Sequence, residues 1–206
     1  MVRRISRGRA RAEDRLPWRE EVARAVGREK GRLLERVSIH DGRVVKLAVE
    51  KVRLPNGNVT ELEVIHHQGA AAAVPLDESG QVWLVRQYRH AVGDWLLEIP
   101  AGKLDPGEDP ERCASREVAE EVGQRPAKLV SLGWIFTTPG FTDERIWLYL
   151  ATGLEPAGQN LQHDEVLTVE RLPLDEAVRR AARGEIHDAK SVCALLRARD
   201  LLDRGV

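Results

Sequence analysis

One stretch of the sequence, residues 109–123, constrains the fold most because it carries the start, the buried face and the end of a single helix. Asp109 is suited to cap the helix, Pro110 to its first turn and Gly123 to its end. Apolar residues between them recur at the spacing of one helix face: Cys113, Ala114, Val118 and Val122. The pattern predicts a helix over residues 109–122 that must bury this stripe against another layer.

The same helix carries three carboxylates away from the apolar stripe. Glu117 lies three residues before Glu120 and four before Glu121, so all three share one face. They lie where the helix dipole disfavours negative charge, and each like-charge pair costs about 0.2–0.5 kcal/mol in water. Arg116 can offset only part of this repulsion. Two interpretations stay open on these residues alone: a solvated acidic face, or a site for a hard divalent cation such as Mg²⁺ or Mn²⁺.

The rest of the chain predicts a mixture of strands and helices. Helices are expected over residues 174–183 and 189–203, and a short one over residues 18–29 after Pro17. Apolar and β-branched runs predict strands over residues 33–40, 43–54, 59–67, 70–75, 81–88, 95–100, 129–136, 145–152 and 166–171. This order favours an α+β fold or a mixed-sheet sandwich over a regular βαβ alternation.

Turn residues divide the first part of the chain into hairpins. Asp41-Gly42 and residues 55–58 separate the first three strands, which predicts a three-stranded antiparallel sheet. Such a sheet is marginal by itself in water, so it must pack on the main domain or on a second subunit. We therefore divide the chain into a basic leader at 1–30, an N-terminal sheet at 31–68 and a main domain at 69–206.

Composition excludes several classes of partner and location. The 206 residues carry a net charge of −1, which gives no reason to expect nucleic acid as a partner. No segment approaches the roughly 20 apolar residues of a membrane span, and the leader lacks the apolar core of a signal peptide. Cys113 and Cys193 form neither a disulfide framework nor a metal-binding pair, and we expect two buried free thiols. These features predict a soluble, cytoplasmic protein.

The spacing around the acidic helix resembles the Nudix box. The sequence has Gly102, five residues, Glu108, seven residues, and then Arg-Glu-Val-Ala-Glu-Glu-Val-Gly from Arg116 to Gly123. The box usually ends with an apolar residue after the last glycine, and Gln124 stands there in this chain. That position packs in the family, so the departure bears on stability more than on catalysis.

Further segments resemble the nucleotide-sugar branch of the Nudix family, typified by ADP-ribose pyrophosphatases. They are Gln87-Tyr88-Arg89, residues 97–102, residues 138–144 with Pro139 sixteen residues after Gly123, and residues 184–191. The resemblance covers about residues 32–202. It implies an α/β/α sandwich with a mixed sheet, and a homodimer whose subunits exchange the N-terminal sheet.

The resemblance also implies roles for individual residues. The metal ligands would be Glu117, Glu121, Glu120 and the main-chain carbonyl of Ala101. Gly102, Glu108 and Arg116 would support them. Substrate contacts fall to Arg89, Glu98, Gly140 and Phe141. Arg89 would neutralise phosphate, although an ordinary surface salt bridge is its other interpretation.

The implied reaction is the Mg²⁺-dependent hydrolysis of ADP-ribose to AMP and ribose 5-phosphate, with Mn²⁺ also possible. Metal charge would neutralise the diphosphate and favour attack by water, and a carboxylate would take the proton of that water. In this branch the base lies on a loop after the last core strands, here residues 154–165, so Glu165 is the candidate and Glu120 its competitor. The alternatives are another nucleoside diphosphate derivative, such as GDP-mannose or FAD, and a non-catalytic sensor that binds ADP-ribose.

Overall fold

The computed structural model describes residues 30–205. The expected helix at residues 18–29 lies outside the described residues, as does the predicted leader apart from Lys30. The chain forms two compact units. Within the described range, the first consists of residues 30–67 and Gly140–Asp143, and the second of Gln68–Pro139 and residues 144–205.

The first unit is built on the predicted three-stranded antiparallel sheet. Its strands are β1 (Arg32–Asp41), β2 (Lys46–Arg53) and β3 (Val59–His66), in the order β1-β2-β3. The segment Gly140–Asp143 lies along the end of β3, where the Ile65 N–H donates to the Phe141 carbonyl at 2.8 Å. The prediction of this sheet is confirmed.

The second unit contains two sheets and the three helices of the described residues. A mixed sheet has the order β7-β4-β9-β8, in which β4 and β9 are parallel and the other pairs are antiparallel. An antiparallel sheet has the order β10-β5-β6. The elements are β4 (Ala70–Pro75), β5 (Gln81–Arg89), β6 (Asp94–Glu98), β7 (Ala101–Lys103), α1 (Pro110–Val122), β8 (Gln124–Phe136), β9 (Arg145–Pro156), β10 (Leu167–Pro173), α2 (Leu174–Ala182) and α3 (Ala189–Asp203).

Strand β4 lies at the centre of the second unit, and its alternating side chains face two different helix layers. Ala70, Ala72 and Val74 pack with buried residues of α2 and α3. Ala71 and Ala73 pack with the apolar stripe of α1. Small side chains on both faces let helices approach the sheet from either side. The result is the expected α/β/α sandwich with a mixed sheet.

Helix α1 begins and ends as its sequence predicts. The Asp109 side chain accepts hydrogen bonds from the N–H groups of Glu111 and Arg112, and Gly123 ends the helix with a left-handed φ of +68°. Its buried residues include the predicted stripe, and they also include Glu117 and Glu121. The interpretation of the acidic face as fully solvated is therefore wrong.

Several strand boundaries differ from those predicted. Strand β7, which follows directly after Ile99 and Pro100, was not predicted from the sequence. Strand β8 begins at Gln124 although it contains Pro126, and β9 continues through Gly153 to Pro156. The loop expected at residues 154–165 thus begins after residue 156. Pairing between the two long strands β8 and β9 outweighs the local signals of proline and glycine.

Both cysteines are free, but only one is buried. Cys113 is buried, and burial raises the pKa of its thiol to about 12. Cys193 is partly exposed on α3, so the expectation of two buried thiols is wrong for this residue. In the part of the chain that the structure describes, no helix has both the length and the apolar character needed to cross a membrane.

Candidate active site

The centre of the site is a pair of buried carboxylates on α1. The exposed fraction is 3% for Glu117 and 2% for Glu121. Burial, and after it the nearby charge of Glu117, raise the pKa of Glu121 to about 8. Burial also raises the pKa of Glu117, to about 7, against the opposing charge of Arg116. Without an added cation, these two acids bind protons near neutral pH.

Strand β7 brings main chain against this pair. The Ala101 N–H donates to the Glu121 Oε2 at 3.2 Å. A Cβ atom added at Gly102 would lie 1.9 Å from the Glu117 Oε1. A side chain at position 102 would displace the carboxylate, so the close approach of Glu117 to β7 requires glycine.

Arg116 connects the loop before α1 to the acidic residues of the helix. Its guanidinium donates to both carboxylate oxygens of Glu108, each at 3.0 Å. Its Nη1 also donates to Glu117 at 2.6 Å and to Glu120 at 3.2 Å. The Arg116 hydrogen bonds lower the pKa of Glu108 to about 2. Glu108 and Arg116 thus join loop to helix, which is the geometry that their expected supporting role requires.

A third buried carboxylate, Glu98, is held by two cations. Arg89 donates to both of its oxygens, at 2.8 and 2.7 Å, and the Lys190 ammonium donates to Oε2. Burial favours a raised pKa at Glu98, but the hydrogen bonds from Arg89 and the charge of Lys190 outweigh it and lower the pKa. Arg89 therefore forms a salt bridge, but with a buried carboxylate and not at the surface as its other interpretation has it, while the Arg89 side chain keeps 39% exposure.

Sequence reasoning missed Lys190. Residues 184–191 resemble the Nudix branch, but the resemblance assigns no role to any single residue among them. In the structure Asp188 caps α3 by accepting from the Ser191 N–H, and it pairs with Lys190 at 3.0 Å. The Ile99 N–H donates to the Ser191 hydroxyl at 2.8 Å. The start of α3 is thereby attached to the segment that leads into β7.

Loss of the Lys190 charge is expected to destabilise the protein. Lys190→Met should lower the free energy of unfolding by up to about 3–5 kcal/mol, the range for breaking a buried ion pair. The double variant Glu98→Gln with Lys190→Met should recover part of that loss because it removes the fully buried charge of Glu98, while Arg89 and Asp188, which are more exposed, each lose a charged partner. Urea unfolding of the four proteins in the cycle measures this coupling. If Lys190→Met and the double variant lose the same free energy of unfolding, the expected coupling between Glu98 and Lys190 is contradicted.

The two candidate bases lie in different settings. Glu165 is partly exposed and accepts a hydrogen bond from the Gln162 N–H at 2.7 Å. Its charge contributes to the raised pKa of both Glu117 and Glu121, which places it within electrostatic range of the pair. Glu120 accepts from Arg116, as described above.

The expected substrate contacts at Gly140 and Phe141 belong to the first unit. Phe141 is 51% exposed, and its carbonyl accepts the Ile65 N–H. His66, which ends β3, lies between two carboxylates: Nδ1 is 2.8 Å from Asp143 and Nε2 is 3.0 Å from Glu50. Strand β3 thus ends one residue before the predicted end of this strand at residue 67.

The donor set of the carboxylate pair suits a hard divalent cation. Two buried carboxylates that repel each other gain stability from nearby positive charge, and oxygen ligands are the type that Mg²⁺ and Mn²⁺ prefer. The third acid, Glu120, is engaged by Arg116. Within residues 30–205, no group of three or more His, Cys, Asp or Glu side chains is arranged to hold a metal ion. The fit therefore rests on Glu117 and Glu121, with the main chain of Ala101 beside them.

Comparison with known proteins agrees with the sequence pattern and the fold. The ADP-ribose pyrophosphatase of Mycobacterium tuberculosis (strain ATCC 25618 / H37Rv) is 41% identical over 162 residues, which are 77% of this chain and 78% of that protein. The methanol dehydrogenase activator of Bacillus methanolicus is 41% identical over 159 residues, 76% of this chain and 86% of that protein.

A crystal structure of an ADP compounds hydrolase has the same fold, with a TM-score of 0.75 at 23% sequence identity. The similarity covers 86% of this chain and 97% of that chain. The family model of the NUDIX domain matches residues 66–195. This range contains α1 with Glu117 and Glu121, and it also contains Glu165. The chain belongs to the Nudix family of hydrolases.

Proposed function

We propose that this protein hydrolyses the diphosphate of ADP-ribose to AMP and ribose 5-phosphate with the help of a divalent metal ion. The observation that carries the proposal is the buried pair Glu117 and Glu121, whose pKa values are raised to about 7 and about 8 beside the main chain of Ala101. The choice of ADP-ribose rests on the segments that resemble this branch and on the name of one relative at 41% identity.

Mg²⁺, or Mn²⁺ in its place, would be held by Glu117 and Glu121 together with the carbonyl of Ala101. Glu120 would join them after a shift of its side chain, because no three acids among residues 30–205 are already arranged around one ion. When bound, it supplies positive charge that offsets the charge of the diphosphate. Arg116 keeps Glu117 and Glu120 on one side of α1 and ties them to the preceding loop. These contacts hold the carboxylates in place before substrate arrives, which lowers the cost of organising the site.

The reaction adds one water across the phosphoric anhydride. The water oxygen forms a bond to one phosphorus, the bond from that phosphorus to the bridging oxygen breaks, and the other phosphate leaves with the bridging oxygen. Glu165 takes the proton of the attacking water in this proposal. Glu120 is the weaker candidate because Arg116 already donates to its carboxylate.

Arg89 and Glu98 would orient the substrate. The Arg89 side chain is 39% exposed, and its Nε and Nη2 donate to Glu98, so Nη1 would be the atom that donates to an anion. Gly140 and Phe141 would contact the nucleotide or the ribose. Their assignment rests on the resemblance of residues 138–144 to the Nudix branch.

A substrate panel tests the proposed function. ADP-ribose, GDP-mannose and FAD are each incubated with the protein and Mg²⁺, and release of the nucleoside monophosphate is measured. The proposal expects the highest kcat/KM with ADP-ribose. Preference for GDP-mannose or FAD would place the enzyme in another substrate class of the family.

Tight binding of ADP-ribose without turnover would favour the alternative of a non-catalytic sensor. One relative is named an activator of methanol dehydrogenase, so a role in regulating another enzyme is a further candidate. Activation of a dehydrogenase by this protein, in the absence of any hydrolysis, would support that role.

We also propose that the protein is a cytoplasmic homodimer assembled through the N-terminal sheet. Strands β1 and β3 carry large apolar side chains with exposed fractions of 37% to 53%: Leu33, Leu34, Val37, Ile39, Val59 and Leu62. A sheet with so many exposed apolar residues is typical of an interface between subunits. Both cysteines are free, which fits a reducing compartment.

Light scattering tests the dimer. The parent protein should have twice the mass of the chain at micromolar concentration, and Ile39→Asp should shift it toward the monomer. Val92→Asp is the matched control, since Val92 is 62% exposed in the second unit and should not affect assembly. A parent protein that is monomeric at this concentration would contradict the proposal.

A further inference from the structure

The chain between β9 and Glu165 is hydrogen-bonded to the C-terminal end of α1. The Ala157 N–H donates to the Gly123 carbonyl at 2.9 Å, and the Asn160 N–H donates to the Glu120 carbonyl at 2.9 Å. Between them, the side-chain amide of Gln159 donates to the Glu121 carbonyl at 2.6 Å. The loop thus contacts the helix at the backbone of Glu121, a proposed metal ligand.

These contacts have a simple physical reason. The last carbonyls of a helix have no partner within the helix and must find donors elsewhere. Residues 157–160 supply two such donors, to the carbonyls of Glu120 and Glu121, and a third to the carbonyl of the capping Gly123. Gly123 permits the close approach, because a Cβ atom at this position would lie 3.1 Å from the Gln159 nitrogen.

Only one of the three hydrogen bonds depends on the identity of a side chain. The bonds from Ala157 and Asn160 come from main-chain N–H groups, which almost any residue would provide. The bond from Gln159 requires a side-chain donor of the right length. Beyond it, the loop turns locally, since the Glu165 N–H donates to the Gln162 carbonyl and the Glu165 carboxylate accepts from the Gln162 N–H.

The far end of the same loop is attached to strand β5. The Tyr88 N–H donates to the Val166 carbonyl at 3.0 Å, directly before β10. The segment that carries Glu165 therefore lies between the contacts of residues 157–160 with α1, which the packing of Leu161 against the core cluster of α1 extends by one residue, and the attachment of Val166 to β5. The position of Glu165 relative to α1 depends on both.

We infer that Gln159 is a positioning residue, which fixes the loop 157–165 on α1 and thereby sets where Glu165 stands relative to Glu117 and Glu121. This inference rests on the proposed function, in which Glu165 is the base. Gln159 itself is assigned no contact with substrate or metal. Its contribution should appear in turnover, because a small misplacement of a reacting group lowers the rate more than it weakens binding.

The test compares three variants in the full-length protein. Gln159→Met keeps the side-chain length but removes the donor. Gln159→Lys keeps a donor, and a cation is favourable at the C-terminal end of a helix. Asn160→Ala is the matched control, because it removes an exposed neighbouring side chain and leaves the N–H that bonds to Glu120.

Two measurements are made on each protein. With ADP-ribose and saturating Mg²⁺, Gln159→Met should lower kcat by roughly 10- to 100-fold with little change in KM. Gln159→Lys should retain most of the turnover, and Asn160→Ala should match the parent. Without substrate or metal, hydrogen exchange in residues 157–163 should be faster in Gln159→Met than in the parent or in Asn160→Ala.

Each outcome decides a different point. Unchanged exchange in Gln159→Met would overturn the attachment of the loop by this side chain. Faster exchange with unchanged kcat would overturn its role in positioning Glu165. A parent protein that does not hydrolyse ADP-ribose would instead refute the proposed function, and it would also remove the catalytic part of this inference while the exchange result still reports on the attachment.

Discussion

Glu121→Gln, and equally Glu117→Gln, is expected to remove most of the hydrolytic activity while the metal-free protein stays folded. Each substitution deletes one of the two buried carboxylates proposed to hold the metal, and the amide keeps the size of the side chain. In the metal-free protein the change also removes repulsion between the pair. Steady-state rates at saturating Mg²⁺ measure the loss, and near-native turnover of either variant would contradict the assignment of that residue.

The raised pKa values give the same variants a second readout. Both folded-state values, about 7 for Glu117 and about 8 for Glu121, lie above the ordinary value of 4.5. The folded state therefore binds protons more tightly than the unfolded state, and the associated stability is complete below about pH 4.5. That stability is lost as the pH rises from there through 8, and the loss is on the order of a few kcal/mol.

Urea unfolding in EDTA at pH 5 and pH 9 measures this dependence. The parent should be less stable at pH 9 than at pH 5, and Glu121→Gln should show a smaller difference. Glu111→Gln is the control on the same helix, because Glu111 is exposed in the first turn, away from the carboxylate pair. If the parent protein is more stable at pH 9 than at pH 5, and Glu121→Gln removes this gain, the burial of both carboxylates is contradicted.

Glu165→Gln is expected to lower kcat by roughly 10²–10⁴-fold, the usual range for losing a general base. The Michaelis constant and the affinity for metal should change much less, since Glu165 belongs to the loop and not to the carboxylate pair. Glu155→Gln, at an exposed position of β9, is the control for loss of one acidic charge. Parent-like turnover in Glu165→Gln would exclude it as the base.

The pH dependence of the rate separates Glu165 from Glu120. Loss of the true base should flatten the acidic limb of the profile. Loss of a metal ligand should be partly rescued by more metal. If Glu165→Gln keeps the acidic limb and Glu120→Gln loses it, the base lies on α1 and the loop only shapes the pocket.

Local patterns in the sequence were sufficient for the fold class and for α1. Asp109, Pro110 and Gly123 mark the ends of the helix by chemistry that acts within one turn. Strand β4 and helix α3 have the predicted bounds for a similar reason, since their apolar runs end at turn or capping residues. The Nudix spacing then indicated which carboxylates to examine.

Features that depend on contacts between distant segments were not predictable in this way. Glu117 and Glu121 are buried because β7 approaches α1 at Ala101 and Gly102. Lys190 meets Glu98 across 92 positions of the chain, and Gln159 meets Glu121 across 38. Nothing in the local composition around either residue signals its partner. The extension of β9 to Pro156 likewise follows from its pairing with β8.

The carboxylate pair of α1 should support cleavage of the diphosphate in ADP-ribose, and phosphorus NMR observes that cleavage without a coupled assay. Parent protein and Glu121→Gln are incubated with ADP-ribose and Mg²⁺ under the same conditions. We expect the parent to convert the diphosphate resonances into equal amounts of AMP and ribose 5-phosphate, and Glu121→Gln to leave them essentially unchanged. Intact diphosphate with the parent protein, or equal conversion by both proteins, would contradict this assignment.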